Sequence, residues 1–199
     1  MTNFLRWLCL TAGLLAAGAV AANTPEEVVK ETTEQVRARV RADLETLRAD
    51  SSKLYGLVNE VIIPHFDFVA SSRLVLGKYW RTATDAQRAR FVEAFKQLLV
   101  RTYANSLLQY VDEDIEYKPS QTEGELVVVK TEVSQHDGTP VPVYYRMHQV
   151  NGEWKAVDVW VDGISLVVTY RGDFGSRAGS AGLDTLIADL EAKNRGLNK

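Results

Sequence analysis

At Tyr110 the apolar residues of this 199-residue chain change their period. Before that point they recur every three or four positions, the spacing of one helix face; beyond it they alternate with polar residues, the spacing of a half-buried strand. A chain patterned this way puts its helices first and its sheet afterwards, which is an α+β order.

The segment 74–110 is the most informative part of the helical half. Thr84 and Gln87 have the S/T-x-x-E/Q form of a capping box, so the spacing predicts a helix that starts there and reaches Tyr110. At 1.5 Å per residue it would span roughly 40 Å. Phe91, Phe95, Leu98, Leu99, Thr102, Tyr103 and Leu107 fall on one side of it, and Arg88, Arg90, Glu93, Lys96 and Arg101 fall largely on the other. Such a helix can wall a large core or a large cavity.

Upstream, Pro25 and Glu26-Glu27 suit a first helical turn, and Val28, Val29, Thr32, Val36, Val40, Leu44 and Leu47 continue it at helical spacing. Residues 54–63 read as a second helix stopped by Pro64. A third is expected near Asp67, whose carboxylate reads as its cap.

Four strands are expected at 114–118, 125–135, 141–150 and 154–162, with hairpin turns at Asp137-Gly138 and Asn151-Gly152. Val127, Val129, Thr131 and Val133 alternate with Lys130, Glu132 and Ser134, and Val143, Tyr145 and Met147 alternate with Arg146 and His148, so one sheet face is apolar. Residues 164–174 form another expected helix, followed by glycines at 172, 175, 179 and 182 that weaken it, and 183–190 form a short final one.

Residues 1–22 read as a cleavable export signal: Arg6, an apolar run over 7–20, and an Ala19-Val20-Ala21 cleavage site. The expected mature domain is 23–199, exported by this leader. Cys9, the single cysteine, lies in the leader, so disulfides, thiolate nucleophiles and cysteine metal sites are not expected in the mature chain. Losing Arg6 takes the formal charge from −3 to −4, and the dispersed cations form no basic stripe for nucleic acid. His65, His136 and His148 have no ligand spacing, and no nucleophile elbow, phosphate loop or dinucleotide fingerprint occurs. The run Asp112-Glu113-Asp114 reads as a solvated strand entry.

Pro64 and Asp67, then Leu76-Gly77-Lys78-Tyr79-Trp80, Gln87-Arg88, Phe91, Phe95, Leu98-Leu99, Thr102-Tyr103, Trp154-Lys155 and Gly163-Ile164-Ser165-Leu166-Val167, together resemble the MlaC family of periplasmic phospholipid-binding proteins, the toluene-tolerance auxiliary components. The resemblance implies a single lipid-binding domain like an NTF2-like cone with added helices: N-terminal helices, a four-stranded antiparallel meander and C-terminal helices around an apolar cavity. It implies a diacyl phospholipid as cargo, no cofactor, no metal and no catalysis. It also implies two partners, an inner-membrane ABC permease complex with an MCE-domain subunit and an outer-membrane lipoprotein with a porin. The chain would then shuttle lipid between them and maintain outer-membrane asymmetry.

The residues expected to line such a cavity are Phe91, Phe95, Leu98, Leu99 and Tyr103 from the long helix; Val127, Val129, Val143, Tyr145, Met147, Val157, Val159 and Val161 from the sheet; and Val167 and Tyr170 beyond it. Exposed charges such as Lys78, Arg81, Arg88 and Arg90 could guide docking. The residues alone leave two other readings open: a solid-core periplasmic adaptor, or an enzyme on an NTF2-like scaffold with Asp158 or Tyr144 turned inward.

Overall fold

The computed structural model describes residues 23–135 and 138–196. Helix α1 (Pro25–Ala42) is opened by a reciprocal capping box: the Glu27 amide donates to Thr24 Oγ1 at 3.2 Å, and the Thr24 amide donates to Glu27 Oε2 at 2.7 Å. The helix expected to run on through Leu44 and Leu47 instead breaks at Asp43, which leaves helical geometry at φ −126° and ψ 25°. The short α2 (Leu44–Ala49) follows, and Asp50 then caps α3 (Ser51–Val61) by accepting from the Ser52 amide at 2.9 Å. Leu44 and Leu47 still reach the interior, because the break redirects the axis without exposing them.

A 3-10 turn over Ile63–His65, with Pro64 in it, leads to α4 (Phe68–Leu76). Asp67 is the expected cap, with Oδ1 accepting from the Ala70 amide at 2.8 Å. Gly77, at φ 54°, turns the chain into α5 (Lys78–Thr82), and α6 (Asp85–Tyr110) follows with the predicted Thr84–Gln87 capping box. Its 26 residues span about 39 Å.

The sheet is antiparallel in the order β1 (Ile115–Glu123), β2 (Leu126–Val133), β3 (Val141–Val150), β4 (Glu153–Val161) and β5 (Ile164–Ser165). It has five strands where four were expected. Asp162 and Gly163, with φ of 51° and 76°, make a second tight turn that folds β5 back onto β4. Asn151-Gly152 forms the expected hairpin, with φ of 53° and 85°. His136 and Asp137 lie outside the described residues. Strand β1 runs past the expected end at Lys118 to Glu123, and the register shifts between Lys118 and Gln121, where Pro119 cannot donate to the ladder.

Helix α7 (Leu166–Ala181) runs past the expected end at Phe174 and through three glycines. Packing outweighs their weak propensity: Phe174 and Ala178 are buried, and Gly179 leaves room for the Tyr79 hydroxyl, which would lie 2.8 Å from a Cβ there. Gly182 at φ 87° ends it, and α8 (Leu183–Gly196) is longer than expected. Asn194 donates to the Ala94 carbonyl at 2.9 Å, and Arg90 grips Glu191 through two bonds, so the last turns of α8 are fastened to α6.

The described residues form three separate buried clusters. The first joins α4, α6, α7 and α8; the second joins α1, α2, α3 and the distal half of α6; the third joins the start of α1 to the sheet.

Candidate functional site

Strand register defines which sheet residues share a face. Val127 opposes Met147, Val129 opposes Tyr145, Thr131 opposes Val143 and Val133 opposes Val141, while Tyr145 opposes Val159 and Val143 opposes Val161. Tyr144, Arg146, His148 and Trp160 lie on the opposite face by the alternation of strand side chains. A bulge in β4 breaks the expected 157–159–161 alternation. Arg146 opposes Asp158 and Met147 opposes Ala156, so Val157 is the extra, unpaired residue.

The two ends of the apolar face differ. At one end Val129, Met147 and Ala156 are buried beneath Val29 of α1, with Val28, Phe66, Tyr145 and Trp154 packed around them. At the other, Val133, Val141, Val143 and Val159 are only half-buried and belong to none of the three clusters. Next to them the apolar surface opens outward: Val161 is 39% exposed, Ile164 61% and Val168 65%. Helix α6 packs chiefly on α8, α3 and α4 rather than on the sheet.

Among the expected lining residues of α6, Phe91, Phe95 and Leu98 are fully buried within the helical cluster. Phe91 and Phe95 stack on one another at 5.8 Å and meet Phe174 edge-on at 5.8 and 6.0 Å. Leu99 is half-buried at the margin of that cluster, and Tyr103, one turn on, is exposed. Val167 is buried in the same cluster. Tyr170 packs between Phe95 at 5.3 Å and Phe174 at 5.2 Å, and its hydroxyl meets Tyr103 and Thr102. Burial, reinforced by the Tyr103 hydroxyl, holds the Tyr170 phenol well above the ordinary tyrosine range.

On the sheet, Val129 and Met147 are covered by α1, Val127 is half-buried beside them, and Val157 is buried with its carbonyl accepting the Ser71 hydroxyl at 2.7 Å. Burial pushes the Tyr145 phenol up to about 12. Apolar side chains with free area therefore cluster at the Val143–Val161 end of the sheet, with Leu99, Tyr103 and Tyr170 marking the exposed rim of the helical core.

The polar candidates have structural partners. Asp158 is buried and accepts from the Ser165 hydroxyl at 2.6 Å, the Trp160 indole at 2.7 Å and the Val167 amide at 3.1 Å. Tyr144 lies on the opposite sheet face, with the Lys130 ammonium 5.9 Å from its ring centre. Neither points into the apolar face. His148 Nε2 sits 3.0 Å from Asp67 Oδ2, a joint between β3 and the cap of α4 that the sequence did not reveal. Burial holds the His65 imidazole below its usual range. No group of three or more His, Cys, Asp or Glu able to hold a metal occurs among the described residues. No helix among them is long and apolar enough to cross a membrane.

The MlaC protein family model matches residues 30–192. The chain belongs to the MlaC family. Among its relatives, the toluene tolerance protein ttg2D of Pseudomonas putida is 33% identical over 157 residues, covering 78% of this chain and 73% of that protein. The intermembrane phospholipid transport system binding protein MlaC of Haemophilus influenzae is 24% identical over 187 residues, covering 92% and 87%. A solved phospholipid-binding protein from Ralstonia solanacearum, in complex with a phospholipid, superimposes with a TM-score of 0.81 at 29% identity, covering 89% of this chain and all of that one. The MlaC fold, an antiparallel sheet among helices, is thus the architecture that the change of period at Tyr110 predicts.

Proposed function

We propose that this chain binds a diacyl phospholipid and carries it through the periplasm, with the acyl tails against the Val143–Val161 end of the apolar sheet face. The observation that carries this reading is the half-filled face itself, in a fold shared with a protein solved in complex with a phospholipid.

The energetics demand such a surface. Each buried methylene is worth about 0.8 kcal/mol, so two tails with about thirty of them represent on the order of 24 kcal/mol in water. A carrier has to replace nearly all of that with apolar side chains. Val133, Val141, Val143, Val159 and Val161 supply one wall, and Leu99, Tyr103, Val167 and Tyr170 supply the rim of the other. Phe91, Phe95 and Leu98 shape this wall from behind through the cluster they fill. Val127, Val129, Tyr145 and Met147, with Val157 in the bulge, form the closed end.

Spontaneous exit of the tails into water would be far too slow, so release depends on docking. The partners that fit are an inner-membrane ABC permease complex with an MCE-domain subunit and an outer-membrane lipoprotein with a porin. The lipid is cargo, with no cofactor and no reaction. Residues 1–22 act as the export signal, 23–199 as the lipid-binding domain, and the shuttle maintains outer-membrane lipid asymmetry.

Native mass spectrometry of the protein purified without detergent tests this reading. The expected spectrum shows the mature chain plus the mass of a diacyl phospholipid, released intact on activation. A lipid-free species would favour a solid-core adaptor, and a lysolipid or free fatty acid product would favour an enzyme.

A further inference from the structure

Half of the twelve arginines in the described helices have a carboxylate partner in an ion pair. Arg39 pairs with Glu60, Arg41 with Asp112, Arg48 with Glu45, Arg88 with Asp85, Arg90 with Glu191 and Arg177 with Asp189. Two of the four cations that the sequence offered as docking guides, Arg88 and Arg90, are therefore already engaged, and Arg88 Nε additionally donates to the Trp80 carbonyl.

At the corner between α4 and α5 several cations without such a partner lie close together in the chain. Arg73, Lys78 and Arg81 are exposed, and none of them is within ion-pair distance of a carboxylate among the described residues. Arg171 joins them from α7: its guanidinium lies against Gly77, 3.4 Å from where a Cβ would stand. Arg73 is one turn before Gly77, its carbonyl accepting the Gly77 amide at 3.0 Å, and Lys78 is the next residue. Four cations without a carboxylate partner thus lie at or within one helical turn of one glycine corner, Lys78 with its ammonium 5.0 Å from the Tyr79 ring centre, on a chain of net negative charge. Beside them α4 exposes two aliphatic side chains, Val69 at 48% and Leu74 at 44%.

We infer that the α4–α5 corner, with Arg171, is a docking surface for an acidic patch on a protein partner. Like charges kept together without counterions gain nothing for the fold, whereas they steer and orient a complementary carboxylate surface. The two flanking aliphatic side chains supply the apolar contact that such an interface adds at its centre. A bilayer fits less well: four cations give only shallow attraction to anionic lipid, and the net negative charge of the chain opposes it. This inference rests on the carrier reading, since a carrier needs a place to be recognised that is separate from its cargo face.

The test is in-cell photo-cross-linking from position 81, with the cross-linked peptide identified by mass spectrometry, in the parent chain and in Arg73→Glu and Arg171→Glu variants. The expected product is a cross-link to an Asp/Glu-rich segment of another protein, lost at least tenfold in both variants. A cross-link to a second copy of this chain, no protein cross-link at all, or co-sedimentation with vesicles of phosphatidylethanolamine and phosphatidylglycerol that both variants abolish would each overturn the inference. Lipid occupancy of the same preparations keeps the two readings apart. Lipid-loaded protein without the cross-link contradicts the docking surface alone, and a cross-link on lipid-free protein contradicts the carrier alone.

Discussion

Asp158 Oδ2 accepts the Ser165 hydroxyl at 2.6 Å, tying the middle of β4 to the residue that caps α7. The same carboxylate takes the Trp160 indole and the Val167 amide, so one buried anion fixes the turn, β5 and the start of α7. Asp158→Asn puts an amide donor where an accepting oxygen met two donors. It should cost about 2–4 kcal/mol, because buried donors lose their partner. Chemical denaturation measures this, and a loss below about 1 kcal/mol would mean that the corner is held by other contacts.

The glycine in the last turns of α7 answers to a single neighbour. A Cβ at Gly179 would meet the Tyr79 hydroxyl at 2.8 Å, with the next nearest atom, also of Tyr79, at 4.0 Å. Gly179→Ala should therefore destabilise by about 1–2 kcal/mol in the parent chain. In a Tyr79→Phe background the clash is gone, and the better helix propensity of alanine should leave the same change neutral or favourable by up to about 1 kcal/mol. Equal effects in the two backgrounds would show that the contact carries no strain.

The pH dependence has two arms with opposite signs. The Tyr145 phenol, pushed up to about 12 by burial, is kept neutral by the fold. Its contribution is complete below the unfolded tyrosine value of about 10 and is lost as pH rises through about 12. Tyr170 and Tyr117 shift in the same direction. Alkaline unfolding should therefore coincide with the ionisation of these buried phenols, followed by phenolate absorbance well above pH ~10. His65 works at the acid end: its folded value is depressed by burial, so its contribution is present above the unfolded value of about 6.5 and falls as pH drops through the folded one. A His65 titration by NMR whose midpoint lies at or above about 6.5 would contradict that arm.

What was legible in the sequence was local. The Thr84–Gln87 box, the Asp67 cap and the Asn151-Gly152 turn need only neighbours in the chain, and each stands where the residues put it, while the helix expected over 54–63 spans Ser51–Val61 and ends just before Pro64. The Asp162-Gly163 turn carries the same kind of signal, but only two residues of strand follow it, too few for alternation to mark β5. Other features depend on contacts between distant residues. The break at Asp43, the Val157 bulge, and the persistence of α7 through its glycines follow from which clusters their neighbours join. The same holds for the site: periodicity identified one apolar sheet face, but only packing separates its filled end under α1 from its open end at Val143.

That division makes the most direct measurement a comparison of lipid occupancy by native mass spectrometry in Val143→Glu, Val161→Glu and the unaltered chain. Val143 is half-buried and Val161 exposed, so both variants should keep the parent circular dichroism and melting transition while losing most of the bound diacyl phospholipid. Folded Val143→Glu protein that retains the full lipid complement of the parent would contradict the account.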